Sequence, residues 1–117
     1  MQGRITTCPD TPNCVSSRAA PGRHYIEPID YDGTLEHARL RLLEIIADFS
    51  RARVVREEQA YLHVVFTSLV FRFEDDVEFE FDHGEKRIHL KSASRIGYWD
   101  FGANRRRLES IREKFSN

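Results

Sequence analysis

The groups best suited to chemistry gather in residues 92–107, which hold Ser92, Ser94, Arg95, Asp100, Asn104, Arg105, Arg106 and Arg107. The stretch also carries the only Trp, Trp99, and two of the six Gly, Gly97 and Gly102. Three successive Arg in the first turn of a helix are disfavoured by the macrodipole, so negative charge is expected beside them. Asp75, Asp76 and Asp100 are the internal candidates. A bound phosphate or carboxylate is the external alternative, because a helix N-terminus flanked by Arg suits an anion. Successive helical residues point in different directions, so at most two of the three Arg serve one site. Arg105 is preferred, together with Arg95, since both flank the turn.

Asp75 is the most informative single residue. It is the one charge on the apolar face of an otherwise alternating segment, and a carboxylate buried there needs a partner. One reading is a structural ion pair or capping bond that ties the last helix to the sheet. A second is a catalytic or ligand-binding carboxylate. A third is a bulge that exchanges the faces of Asp75 and Asp76.

Cys8 and Cys14 enclose five residues, two of them Pro. The spacing suits a disulfide and fits neither a CxxC redox motif nor a zinc site, which needs more ligands. His24, His37, His63, His83 and His89 are scattered, so no metal and no cofactor is expected. A Cys–His nucleophile pair is the reactive alternative.

These residues need elements to hold them. The chain has 117 residues, 40% hydrophobic and 32% charged, enough for one domain with a core. A net charge of −1 gives no global electrostatic case for nucleic acid. Acids dominate residues 74–85 and bases residues 91–117, so the two segments are expected to be neighbours. No apolar run approaches the roughly 20 residues of a transmembrane segment. Residues 1–20 lack the apolar core of a signal peptide, so the chain reads as cytoplasmic as written, or exported if a leader has been removed.

Residues 1–23 read as an irregular arm and residues 24–29 as a short strand with Pro28 at its end. Asp32-Gly33-Thr34 offers a cap for an amphipathic helix whose stripe is Leu35, Ala38, Leu42, Ile45, Ile46 and Phe49. From residue 52 the period becomes two, giving strands 52–57, 61–68, 71–82 and 86–96. Residues 71–82 place Phe71, Phe73, Asp75, Val77, Phe79 and Phe81 on one face and charges on the other, which is expected to meet solvent. A two-residue turn at His83-Gly84, with positive φ at Gly84, sets Phe79 against Ile88, Val77 against Leu90 and Asp75 against Ser92. A turn at Leu69-Val70 sets Phe66 against Phe73 and Val64 against Asp75. The last helix starts near Asn104, with Phe101, Leu108, Ile111 and Phe115 on its stripe. The expected fold is α+β, an antiparallel sheet of four to five strands with two helices on one face. The order β-α-β-β-β-β-α is a TATA-binding-protein-like topology.

Four motifs in order carry a resemblance. They are Cys8 to Ser17; His24, Ile26 and Pro28; Asp75 to Phe79; and Ser92 to Arg107 with Arg95, Gly97, Asp100, Gly102, Asn104, Arg105 and Arg107. Together the sequence resembles the domain of unknown function 1499 family, over nearly the whole chain. Members are bacterial and plant proteins, some exported, lipid-anchored or thylakoid-lumenal. The resemblance implies that these four segments belong to one shared design, and it supplies no reaction. The expected function is non-catalytic binding of an anionic small molecule or a protein partner. The expected site is Asp75, Asp76, Ser92, Ser94, Arg95, Asp100, Asn104, Arg105 and Arg107. The alternative is an enzyme using Asp75 as acid or base, or Cys14 as nucleophile.

Overall fold

Strict alternation in residues 74–82 organises the molecule. In the structure, a computed structural model describing residues 4–116, this segment is a strand whose odd positions are buried and whose even positions are half-buried. Residues 1–3 of the expected arm and residue 117 lie outside the described residues. The elements in chain order are β1 (Cys14–Ser16), β2 (Ile29–Asp30), α1 (Leu35–Ala47), β3 (Ala52–Glu58), β4 (Tyr61–Thr67), β5 (Glu74–Asp82), β6 (Arg87–Ser94) and α2 (Ala103–Ser116). They make an α+β fold with one antiparallel sheet, ordered β1-β6-β5-β4-β3, in which β2 also pairs with β6.

Both helices lie on one face. Ala38, Leu42 and Ile46 of α1 and Leu108, Ile111 and Phe115 of α2 join Leu62, Val64, Val77, Phe79, Ile88 and Leu90 in a single core. Leu42, Phe79, Leu108 and Ile111 are almost wholly buried, each worth about 1.5–3 kcal/mol of hydrophobic stabilisation. Thr34 caps α1, its Oγ1 accepting the His37 N–H at 3.0 Å.

Several expectations are corrected. The N-terminal arm contains a strand: Cys14, Val15 and Ser16 pair with Ala93, Ser92 and Lys91. Three residues are too few to display a period, and here the open edge of β6 imposes the extended form. The strand expected at 24–29 reduces to β2, which pairs Ile29 with Ile88 and Asp30 with Arg87. Tyr25 makes only an isolated bridge to Ser16. β1 and β2 thus share one edge of the sheet.

Both expected hairpin registers are displaced by two residues. Asp75 lies opposite Ser94, Val77 opposite Ser92 and Phe79 opposite Leu90. On the other side Phe66 lies opposite Asp75 and Val64 opposite Val77. The β5–β6 connection is longer than two residues, and the positive φ falls on Lys86 (54°), not on Gly84. Asp82 Oδ1 accepts the Glu85 N–H across this turn at 3.1 Å. The β4–β5 connection takes residues 68–73, so Phe71 and Phe73 leave the strand and stand exposed. Because both displacements are even, every side chain that stays in β5 and β6 keeps its expected face. Ile96 and Phe101 also fall outside their expected elements and are exposed.

The outer face of the sheet is less open than its alternating charges suggest. The N-terminal arm crosses it. The Arg4 N–H donates to Glu80 Oε2 at 2.7 Å, and its guanidinium lies 4.0 Å from the Tyr61 ring centroid. Lys91 Nζ donates to Thr6 Oγ1 at 2.8 Å, and Ile5 is buried.

Candidate functional site

The alternation of β6 directs Ser92 and Ser94 toward the helices, and the chain leaves the sheet after Ser94. A loop over residues 95–102 then turns it into α2. Phe101 (φ 52°) and Gly102 (φ 80°) make that turn in the left-handed region. Asp100 closes it, accepting the Gly102 N–H at 2.8 Å and the Asn104 N–H at 3.2 Å. The negative charge that the start of α2 requires is therefore supplied by Asp100.

Asn104, fully buried in the first turn, is the hub of the join. Its Oδ1 accepts from Ser92 Oγ at 2.5 Å and from Arg107 Nη1 at 2.9 Å. Its Nδ2 faces Asp100 Oδ2 at 2.8 Å, and Ser94 Oγ and the Asn13 carbonyl at 3.1 Å each. Arg107 carries the network to the sheet. Its Nη2 donates to Asp75 Oδ2 at 2.8 Å, Nη1 donates to Ser92 Oγ at 3.0 Å, and the guanidinium lies 4.8 Å from the Phe66 ring centroid. Asp75, Ser92, Ser94, Asp100, Asn104 and Arg107 are thus brought together, each committed to a protein partner.

Asp76 and Arg95 lie on the opposite face of the sheet from Asp75. Arg95 grips Asp76 with both ends of its fork, Nε to Oδ2 at 2.9 Å and Nη2 to Oδ1 at 3.0 Å. Its Nη1 donates to Glu74 at 2.5 Å. His63 Nε2 lies 2.8 Å from Asp76 Oδ1. The Arg95 hydrogen bond, aided by His63, holds the Asp76 carboxyl below the usual carboxylate range against the opposing effect of burial. Arg95 and Arg105 therefore do not share a site, which corrects the pairing expected from their flanking positions. Ten peptide bonds separate them, and the loop reverses the face.

Arg105 turns away from both aspartates. Its Nη2 donates to the carbonyls of Arg23 at 2.9 Å and Tyr25 at 2.7 Å. Arg106 Nη1 donates to the Phe101 carbonyl at 2.6 Å. Among the described residues neither guanidinium meets a carboxylate within ion-pair distance. Both line an open cleft of about 730 Å³. Its remaining walls are Pro12, Val15, Arg23, Trp99, Asp100, Phe101 and Gly102. Trp99 and Phe101 are 66% and 84% exposed. Arg23 already pairs with Asp10 at 2.9 Å. Pro12 is placed there by the Cys8–Cys14 disulfide.

The cleft residues Pro12, Arg23, Trp99, Phe101, Gly102 and Arg106 were not among the expected ligand-binding residues. The signal for them was the single Trp and the middle Arg of the run. The Cys pair is bridged, so Cys14 presents no thiol. A Ser–His pair exists elsewhere: Ser17 Oγ lies 2.9 Å from His89 Nδ1, both buried, and the same hydroxyl accepts the Leu90 N–H at 3.0 Å. Burial pushes the His89 imidazole below its ordinary value, with Arg18 acting in the same direction. Asp82 and Glu85 approach His89 so that one oxygen or nitrogen of each lies within 4.8 Å of the others, but Asp82 closes the turn and His89 is engaged by Ser17.

Residues 4–115 match the family described as protein of unknown function (DUF1499). The chain belongs to this family. The match takes in the disulfide loop, the Asp75–Asp76 strand and the 92–107 join, so cleft and buried network alike are parts of the DUF1499 domain. No curated protein matches the sequence significantly. Among the described residues, no helix of this DUF1499 domain is long and apolar enough to cross a membrane.

Proposed function

We propose that this domain is a non-catalytic binding module whose cleft at the start of α2 takes a small anion carrying an apolar or aromatic body. One observation carries the reading: Arg105 and Arg106 have no carboxylate partner among the described residues and face the same cleft as the exposed Trp99 and Phe101. Guanidinium groups bind phosphate or carboxylate through charge-assisted hydrogen bonds, and the aromatic walls suit a ring or alkyl body. In this reading Asp75, Ser92, Ser94, Asn104 and Arg107 position α2 and do not touch the ligand. The TATA-binding-protein-like topology is supported by the path β1-β6-β5-β4-β3 with both helices on one face, and it says nothing about the ligand.

The catalytic alternative is less well supported. Asp75 is held by Arg107, and the Cys14 sulfur is bonded to Cys8. Calorimetric titration with phenyl phosphate, beside benzyl alcohol as the uncharged control, tests the proposal. Saturable binding of the phosphate alone, weakened about tenfold or more by Arg106→Ala, is expected from the loss of a charged hydrogen bond. Equal behaviour of phosphate and alcohol contradicts it.

A further inference from the structure

Two loops leave the same end of the sheet. Residues 68–73 join β4 to β5, and residues 95–102 join β6 to α2. They are neighbours, since Asp75 pairs with Ser94 and the Arg95 N–H donates to the Glu74 carbonyl at 3.1 Å. The loops carry eight exposed large hydrophobic side chains, from Leu69 to Phe73 and from Ile96 to Phe101. The other described residues contribute three, Leu40, Val54 and Val55. Apolar side chains gathered this way mark an interaction surface. Each loop presents an aromatic pair. Phe71 and Phe73 stack with centroids 5.5 Å apart, and Tyr98 and Trp99 meet edge to face at 5.1 Å. Arg72 and Phe101 hold positive φ (59° and 52°), a conformation that bulky residues rarely accept.

The unpaired charge of this end is basic. Residues 67–73 contain no acid, and residues 95–107 contain only Asp100, whose two oxygens cap α2. Arg72, Arg105 and Arg106 have no carboxylate partner among the described residues. Arg51 lies at the same end, its carbonyl accepting the Thr67 N–H at 3.0 Å. The nearby acids are Glu74, half-buried and paired with Arg95 and Arg53, exposed Asp48 on the connection to Arg51, and Asp10, which pairs with Arg23.

We infer that this end of the domain docks on an anionic lipid surface, with both loop tips in the interfacial layer and the arginines against the headgroup phosphates. Trp and Tyr favour the headgroup level, Phe and aliphatic tips reach below it, and Arg is drawn to anionic lipid. A second copy of the chain fits less well. An isologous contact would set the patch that holds Arg72, Arg105 and Arg106 against its own copy, with the acids of that patch already engaged: Glu74 by Arg95 and Arg53, and Asp100 by the α2 cap. The proposal goes beyond the cleft, because the 68–73 loop lines no part of it.

The single Trp makes the test direct. The full chain is mixed with phosphatidylcholine vesicles, with and without phosphatidylglycerol, and followed by co-sedimentation and by Trp99 emission. Sedimentation with the anionic vesicles and a blue shift are expected. Phe71→Ser should weaken this binding about tenfold, and salt should weaken it as well, while phenyl phosphate binding stays unchanged in that variant. Absence of both signals overturns the proposal. So does a blue shift that grows with protein concentration alone, which indicates a second copy. A blue shift elicited equally by free glycerol phosphate and unaffected by Phe71→Ser assigns binding to the cleft only, and likewise overturns it. Loss of phenyl phosphate binding with vesicle binding intact would remove the cleft reading and leave this one standing.

Discussion

Arg107 donates to Asp75 at 2.8 Å across the boundary between α2 and β5, and this bond joins the last helix to the sheet. Both side chains are largely buried, 16% and 12% exposed, and the same guanidinium also reaches Ser92 and Asn104. The pair explains why a carboxylate is tolerated on the apolar face of β5.

Breaking that pair leaves a charge without a partner. Arg107→Met should cost about 3 kcal/mol, since removal of one partner strands the other. Asp75→Leu combined with Arg107→Met should recover much of the loss, because a buried pair contributes little over apolar residues of similar size. Urea unfolding of the two single variants and the double variant measures the coupling. Additive losses would show that the bond does not join the elements energetically.

Gly102 adopts a conformation that side chains rarely take (φ 80°), and an added Cβ would stand 2.9 Å from Arg106 Nη1. The arginine tip can move, so the backbone dominates the cost. Gly102→Ala should destabilise by about 1–2 kcal/mol. By displacing Arg106 it should also weaken phenyl phosphate binding. A thermal melt and a titration of the same variant check both effects.

Stability should fall as the pH drops below neutrality. Burial depresses the His89 imidazole in the folded state, so the unfolded chain binds the proton more readily. Its contribution is complete above the unfolded value of 6.5 and is lost as pH falls from there through the lowered folded value. Asp76 acts at more acid pH. Its contribution is complete above the unfolded 3.8 and is lost as pH falls through its own depressed value. Urea midpoints at about pH 7.5 and about pH 5 should differ in the native sequence, and the difference should shrink in His89→Gln. An unchanged difference would point to another group.

The Cys8–Cys14 bridge spans a sequence separation of 6 and carries Pro12 to the cleft wall. Replacing both cysteines by Ser should cost about 2 kcal/mol, from the added entropy of the unfolded loop. It should also lower phenyl phosphate affinity. An unchanged affinity would show that the loop does not shape the cleft.

The periodic parts of the fold were legible in the sequence. The stripe from Leu35 to Phe49 and the alternation from Asp75 to Asp82 identified α1, β5 and the face of every side chain on it. Loop lengths were not legible, because Leu69-Val70 read as a tight turn and Phe71 and Phe73 as strand, although all four stand in water. That apolar run displaced the β4–β5 register. The Asp75–Arg107 bond was half legible. A partner was required, but its choice depends on helical phase, with about 100° between successive residues, and hence on where Gly102 ends the turn. The cleft was the least legible part, since Pro12, Arg23 and Trp99 meet only through tertiary packing.

The 92–107 join divides into a closed network around Asn104 and an open cleft around Trp99. Amide chemical-shift mapping during a phenyl phosphate titration tests it most directly. Saturable shifts are expected at Gly102, Arg23, Arg105 and the Trp99 indole N–H, with Ser92, Val77 and Asp76 unmoved. Shifts centred on Asp75, Ser92 and Asp76, or none at saturating ligand, would contradict it.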